Sequence, residues 1–303
     1  MFIFRWLFGW LGKFFSSKAG KITAGVMGAA GAGLAVAGGV EIGKAAKLNR
    51  RARKMRDEAL QKHEEHYSKV QSVLEATTKT KMTAIASFDE FADQMAMIQG
   101  RPEFETIGCK GVQLPAFTAD ELKVISNKVA LAVEGAAYAG AGAGLGIAAY
   151  GLNVLALGPG LLIGGIGMLV AGGHIKKKAI ENSRQAKQLV KDVDEIIKQY
   201  DELAKAAAML GEHIGSIYAQ YTKHLARMKK ILSKKTVWSN LNEKEQLAIE
   251  NTILLVGMLY KLCKIELIVK VKKAEKVNVA EVEGIEAEVE AALHHTKRRG
   301  LFA

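Results

Sequence analysis

Two long stretches of the chain place apolar residues at helical intervals with polar residues between them. From residue 44 to about residue 100 the apolar side reads Val70, Val73/Leu74, Thr77, then Ile85, Phe88, Phe91/Ala92 and Met95. From Lys176 to about Lys235 it reads Leu189, Val193, Ile196/Ile197, Tyr200, Leu203, Ala207, Leu210, Ile214, Ile217, Tyr221, Leu225 and Met228. Steps of three and four put one apolar face on each helix, to be buried against another helix of this chain or of a second copy. The segment "GRPEFETIGCKGVQLPAF" holds two of the three prolines and ends the first helical unit. Thr118 with Glu121, and Asn242 with Glu245, have the capping-box spacing and mark two further helix starts. The second start opens "QLAIENTILLVGMLYKLCKIELIVKVKK", apolar but carrying Glu250, Lys261, Lys264 and Glu266. It is expected to be the central helix of a soluble body rather than a membrane span. The tail "VAEVEGIEAEVEAALHHTKRR" predicts an acidic amphipathic helix with Val279, Val282, Ile285/Val289 and Leu293 inward. Its glutamates are placed to neutralise basic helices.

Other stretches have no polar face at all. Ile22 to Val40, "ITAGVMGAAGAGLAVAGGV", runs uncharged between Lys21 and Glu41. As a helix it is about 28 Å long, close to the roughly 30 Å of bilayer hydrocarbon. Gly135 to Gly173 is uncharged for 39 residues, too long for one span and suited to two antiparallel ones. The turn falls at Asn153 or at the "GPG" of Gly158 to Gly160; both places stay open. Gly39/Gly43, Gly140/Gly144, Gly142/Gly146 and Gly160/Gly164 are small-xxx-small pairs that let helices pack closely in a membrane. Permanent burial of a glycine-rich hairpin inside a helical body is the competing reading.

The first fifteen residues concentrate five of the ten Phe and two of the three Trp. On a helix, Arg5, Gly9, Gly12/Lys13 and Ser16 make a narrow polar stripe, and aromatic and aliphatic side chains cover the rest. A helix lying in a lipid interface has this form, with Phe4, Trp6, Phe8, Trp10, Phe14 and Phe15 as its membrane-surface contacts. An export signal fits less well, because Arg5 interrupts the apolar part and no A-x-A pattern follows.

Two passages echo each other at a shift of 134 residues: "AGGVEIGKAAKLNRRARKM" from Ala37 and "AGGHIKKKAIENSRQAKQL" from Ala171. Each passes from a glycine-rich apolar stretch into a basic helix. After Glu41, Lys44, Lys47, Arg50, Arg51, Arg53, Lys54 and Arg56 follow before the next acid in the first, and Lys176, Lys177 and Lys178 open the second. Basic collars beside apolar spans hold that end on the side bearing anionic lipid, so Lys44, Arg50, Arg51, Arg53 and Lys176 to Lys178 are candidate lipid contacts.

Composition narrows the chemistry. The net charge of +12 suits an anionic partner. Nucleic acid is not the expected one, because the aromatics that would stack on bases are segregated from the basic helices. "GGVEIGKA" from Gly38 matches a phosphate-loop spacing, but Ala45 replaces the hydroxyl residue that would hold magnesium. "GLGIAA" from Gly144 lies in an uncharged run with no acidic ribose partner near it. "HEEH", His63 to His66, has its two His three apart where the zinc-protease pattern needs four. Cys109 and Cys263 show no metal-ligand spacing and read as free thiols, with a single disulfide left open. No catalytic, cofactor or metal residue is assigned, and enzyme activity is not expected.

The run "AAYAGAGAGLGIAAYGLNVLALGPGLLIGGIGMLVAGGHIKKK" and its flanks, residues 130 to 200, resemble the layout of α-helical membrane-active proteins such as pore-forming colicins and the apolipoprotein L group. There too an apolar glycine- and alanine-rich hairpin joins charged amphipathic helices. The resemblance assigns no functional residue. The expected fold is all-α, long amphipathic helices with membrane-spanning or membrane-inserting apolar ones. Its parts are a membrane-surface helix (1–18), a glycine-rich apolar helix (19–43), a long basic helix (44–100), a loop (101–119), the apolar hairpin (120–175), a long amphipathic helix (176–236) and C-terminal helices (237–303). The expected function is membrane insertion with self-association, permeabilising the bilayer as an effector or toxin. The alternative is a non-lytic membrane scaffold, anchor or remodelling protein with a cytoplasmic helical platform. Either way the expected partners are an anionic bilayer and further copies of the chain. The expected location is the inner membrane, with most of the chain in the cytoplasm.

Overall fold

A computed structural model describes residues 39–100, 109–136, 175–271 and 274–300. They are mostly helical: α1 (Gly39–Ala86), α2 (Phe88–Ala96), α3 (Ala119–Ala136), α4 (Ile175–Leu232), α5 (Glu243–Lys264), α6 (Val279–Gly284) and α7 (Glu286–Gly300). A short 3₁₀ turn (Trp238–Asn240) and a two-stranded ribbon, β1 (Ile268–Val271) with β2 (Ala274–Val277), complete them. The chain divides into two compact units, Met1–Tyr67 with Pro159–Lys198, and Ser68–Gly158 with Gln199–Ala303.

In the first unit, α1 and α4 lie side by side and run in the same direction. Asn182 Nδ2 donates to Asn49 Oδ1 at 3.2 Å, and Lys62 Nζ donates to Asp194 Oδ1 at 2.8 Å. Residue numbers rise together along both helices, with separations of 133 and 132. The seam is filled by Ala59, Leu189, Val193 and Ile197, with Val190 at its edge. Ala52 and Ala186, counterparts in the 134-residue echo, are both buried. The echo in the sequence is thus a pair of helices laid alongside each other in register.

The second unit uses the same parallel arrangement for the rest of α1 and α4. Thr77 Oγ1 lies 2.8 Å from the Ala207 carbonyl and 3.0 Å from that of Val73, so its proton serves two acceptors. Tyr221 donates its hydroxyl to the Ser87 carbonyl at 3.1 Å, and Lys229 pairs with Glu90. From Tyr200 to Tyr221 the large buried residues of α4 recur at helical spacing, with the adjacent Ala206 and Ala207 both buried, which keeps one face of the helix against its partners. Helix α3 runs back along this pair: Ser126 Oγ donates to the Ala86 carbonyl at 2.8 Å, and Lys123 meets Asp93 at 2.5 Å. Leu122, Ile125 and Val129 form its buried stripe.

Helix α5 is the core of this unit. Its ten residues Asn251–Tyr260 are all buried. A full capping box opens it: Glu245 N–H donates to Asn242 Oδ1, and Asn242 N–H to Glu245 Oε2, both at 2.9 Å. Near its C-terminal end, Lys261 Nζ contacts both Glu288 oxygens at 2.8 and 2.7 Å and the Gln113 carbonyl at 2.8 Å. Lys264 sits 4.1 Å over the Tyr260 ring. It is the one described helix long and apolar enough to cross a membrane, and 78% of its apolar window is buried.

Three local expectations change. The helix predicted from 242 onward stops at Lys264, because Ile265 turns extended and "IELIVKV" is rich in β-branched residues. The ribbon that follows pairs Ile268 with Val277 and Val269 with Lys276. At Thr118 only half of the capping box forms: Glu121 N–H donates to Thr118 Oγ1, while the Glu121 carboxylate instead accepts the Tyr260 hydroxyl at 2.6 Å. The helix from residue 44 breaks at Ser87, whose hydroxyl bonds the Ala84 carbonyl, and restarts as α2. In the tail, Val282, Ile285 and Val289 are buried as predicted, with Ala292, whereas Val279 and Leu293 are only partly buried; a turn at Ile285 separates α6 from α7.

Candidate functional site

The feature with the clearest chemistry is the beginning of the parallel pair in the first unit. Residues 46–56 of α1 carry Lys47, Arg50, Arg51, Arg53, Lys54 and Arg56 and no acid; residues 182–191 of α4 carry Arg184, Lys187 and Lys191 and no acid. All are exposed except Arg56, which is partly covered. Lys54 pairs with Glu58 and Arg56 with Asp57. The other seven carry no ion pair among the described residues.

Further along the same pair the sign reverses. Asp57, Glu58, Glu64 and Glu65 follow on α1, and Asp192, Asp194 and Glu195 on α4, with Lys62 and Lys198 the lysines among them. The change comes at Asp57 on one helix and Asp192 on the other, which is nearly the offset of the helix register. An antiparallel pairing would have set cations against acids. The parallel one stacks like on like, and both positive helix termini lie at the cationic end. Such a concentration of charge is stabilised only by an anionic surface or by dissolved counter-ions.

Of the sequence candidates, Arg50, Arg51 and Arg53 are brought together here and exposed. Gly39, Gly43 and Lys44 lie in the first turns of α1, and Lys176, Lys177 and Lys178 in the first turn of α4, by backbone alone. The aromatic set Phe4, Trp6, Phe8, Trp10, Phe14 and Phe15 lies outside the described residues. So do Gly140, Gly142, Gly144, Gly146, Gly160 and Gly164, and with them most of both uncharged stretches. The backbone from Gly39 through Ala45 is helical, so that part of "GGVEIGKA" does not form a loop around a phosphate.

His63 of "HEEH" is buried on α1, its ring stacked on Tyr67 with centroids 6.1 Å apart. Burial lowers its pKa below the ordinary histidine value, against an opposing pull from Glu64. Among the described residues no three His, Cys, Asp or Glu side chains are grouped to hold a metal ion. Cys109 and Cys263 are buried and not joined in a disulfide, and burial pushes the Cys263 thiol up to about 12.

The second unit has two open clefts. One, of about 700 Å³, is lined by Glu75, Thr78, Lys79, Met82, Thr83, Ala86, Ser87 and Tyr218; the other, of about 530 Å³, lies beside the Lys261–Glu288 pair. In the first cleft the Thr83 and Ser87 hydroxyls donate to the Lys79 and Ala84 carbonyls.

Two residues that periodicity did not single out turn out to matter. Lys81 is only 3% exposed, and its ammonium donates to the Ile265 carbonyl at 3.0 Å, closing the C-terminal end of α5. Burial lowers its pKa despite Cys263 and Glu266 nearby. Its position on the α1 stripe, four after Thr77, was the available signal. His224 is buried with Nδ1 unpartnered, and burial together with Arg227 lowers its pKa. Comparison with protein-family models, with curated proteins and with solved structures finds no match in any of the three.

Proposed function

We propose that this chain is a helical membrane-inserting protein whose glycine-rich apolar stretches enter the bilayer and self-associate, permeabilising it. The observation that carries the reading is the cationic start of the α1–α4 pair, where residues 39–56 and 175–191 carry thirteen Lys and Arg against Glu41 and Glu181. Each of these helices follows directly on an uncharged stretch, 22–40 for α1 and 135–173 for α4. Hydrocarbon is the natural environment for the stretches and anionic headgroups for the collars. The burial of α5 supports the same division of labour, since the apolar helix that carries charges has a place inside the helical body. Dye release from vesicles containing anionic lipid tests the proposal. The wild-type chain should leak them, and Gly142→Leu with Gly146→Leu should abolish the leak, because leucine at those positions keeps helices apart. Absence of leakage at every lipid composition removes pore formation.

A second reading is favoured by the packed core of the second unit, which suits a platform held at a membrane. A non-lytic scaffold or anchor stays with membranes through carbonate extraction, causes no leakage and leaves growth unaffected on expression.

A further inference from the structure

We infer that the two basic helix starts form one end-on contact surface for anionic lipid headgroups, so that α1 and α4 meet the membrane at the same level and from the same side. The inference rests on the membrane reading above and adds to it a geometry. Register supplies the first argument. Asn49 meets Asn182, and Lys62 meets Asp194, so Ala46 and Asn182 lie near one level while Glu64 and Lys198 lie further along, about 25 Å away at the helical rise. Charge supplies the second. Nine Lys and Arg against the single Glu181 occupy residues 46–56 and 181–191 at the first level, and acids outnumber lysines at the second. A membrane surface attracts the first and repels the second, which orients the pair with its helix starts down.

Chain direction supplies the third. Both uncharged stretches are delivered to this end, because α1 begins at Gly39 and α4 at Ile175. Nucleic acid would satisfy the cations through its phosphates but offers nothing to the uncharged sequence beside them. Lipid satisfies both, with headgroup and hydrocarbon in the right order.

The test uses the full chain with vesicles of phosphatidylcholine, alone or with about one-third phosphatidylglycerol. Anionic lipid should lower the lipid concentration for half-binding at least tenfold. Arg50→Gln and Arg184→Gln should each raise it by a similar factor, roughly fivefold for about 1 kcal/mol per cation. Lys198→Gln should leave it unchanged. Fluorophores are then placed on Ala46→Cys, Asn182→Cys, Glu64→Cys and Lys198→Cys; the two native thiols are buried and add little background. A headgroup-located quencher should quench positions 46 and 182 alike and spare 64 and 198. Quenching at only one of 46 and 182, or equally at all four, overturns end-on docking while leaving membrane binding intact. Tight binding to a short RNA or DNA duplex, with no preference for anionic vesicles, assigns the surface to nucleic acid instead. No association with any vesicle defeats the membrane reading itself.

Discussion

At Gly257 a methyl group would lie 2.8 Å from Leu114 Cδ1 and 2.9 Å from Phe117 Cε1, because the loop before α3 packs directly on this turn of α5. Gly215, also in a helix, has open space where its methyl group would go. Gly257→Ala should therefore cost about 1–3 kcal/mol through overpacking, while Gly215→Ala should gain up to ~1 kcal/mol from helix propensity. Urea unfolding midpoints read both, and two changes of the same sign contradict this account. Cys263 gives a prediction in pH. Its buried thiol stays protonated to about 12, whereas in the unfolded chain it ionises near its ordinary value. Above that ordinary value the unfolded state binds fewer protons, so stability falls by up to about 1.4 kcal/mol per pH unit. Lys81 acts in the opposite sense, since its lowered pKa makes the folded state lose a proton first as pH rises towards its ordinary value. Comparison with Cys263→Ala isolates the thiol: between pH 9 and 11 the wild type should lose roughly 2 kcal/mol more than the variant. Equal losses would show that the thiol is not held neutral.

Helix starts and helix seams respond to different substitutions. Asn242→Ala removes the acceptor of the Glu245 N–H and half of the capping box that opens α5, a loss of about 1 kcal/mol. Thr118→Ala should cost less, because Glu121 already serves Tyr260 and the box there is incomplete. Circular dichroism melts of the two variants, read side by side, check the order. Tyr221→Phe removes the hydroxyl that reaches the Ser87 carbonyl, which keeps only the longer bond from the Phe91 N–H at 3.4 Å, and should destabilise by about 1 kcal/mol. An unchanged melting temperature for Tyr221→Phe would mean that this hydrogen bond does not hold the two helices in register. The seam itself rests mainly on its apolar residues, and the Lys62–Asp194 pair, about half exposed on both sides, chiefly fixes register.

For the molecule as a whole, the proposed membrane insertion gives the helical body and the apolar stretches separate roles. In hydrogen exchange the slowest amides should be those of Asn251–Tyr260 and of the buried α4 turns from Tyr200 to Met228. Adding anionic vesicles should leave the α5 protection in place, because its apolar side chains are already covered and Lys261 is held by Glu288. Loss of that protection on binding would make α5 a membrane-inserting helix and reverse its role.

The helices were legible because their signals are local. A period of three and four, an Asn or Thr three residues before a Glu, and a proline-bearing break each depend on a few neighbouring residues and the fixed geometry of one helix. The uncharged stretches and basic collars could be read for the same reason, and so could the echo at 134 residues. What the echo meant could not be read. A stripe says that a helix packs, but parallel and antiparallel partners present the same stripe, and the choice is made where Asn49 meets Asn182 and Thr77 meets Ala207. The same limit applies to Lys81, whose charge looks solvated until the end of α5 is placed against it, and to Glu121, whose carboxylate leaves its cap for Tyr260. It applies as well to "IELIVKV", where strand or helix depended on what came back to pair with it. Contacts between residues far apart in sequence carry no local trace, because their energy arises only once the chain has brought them together.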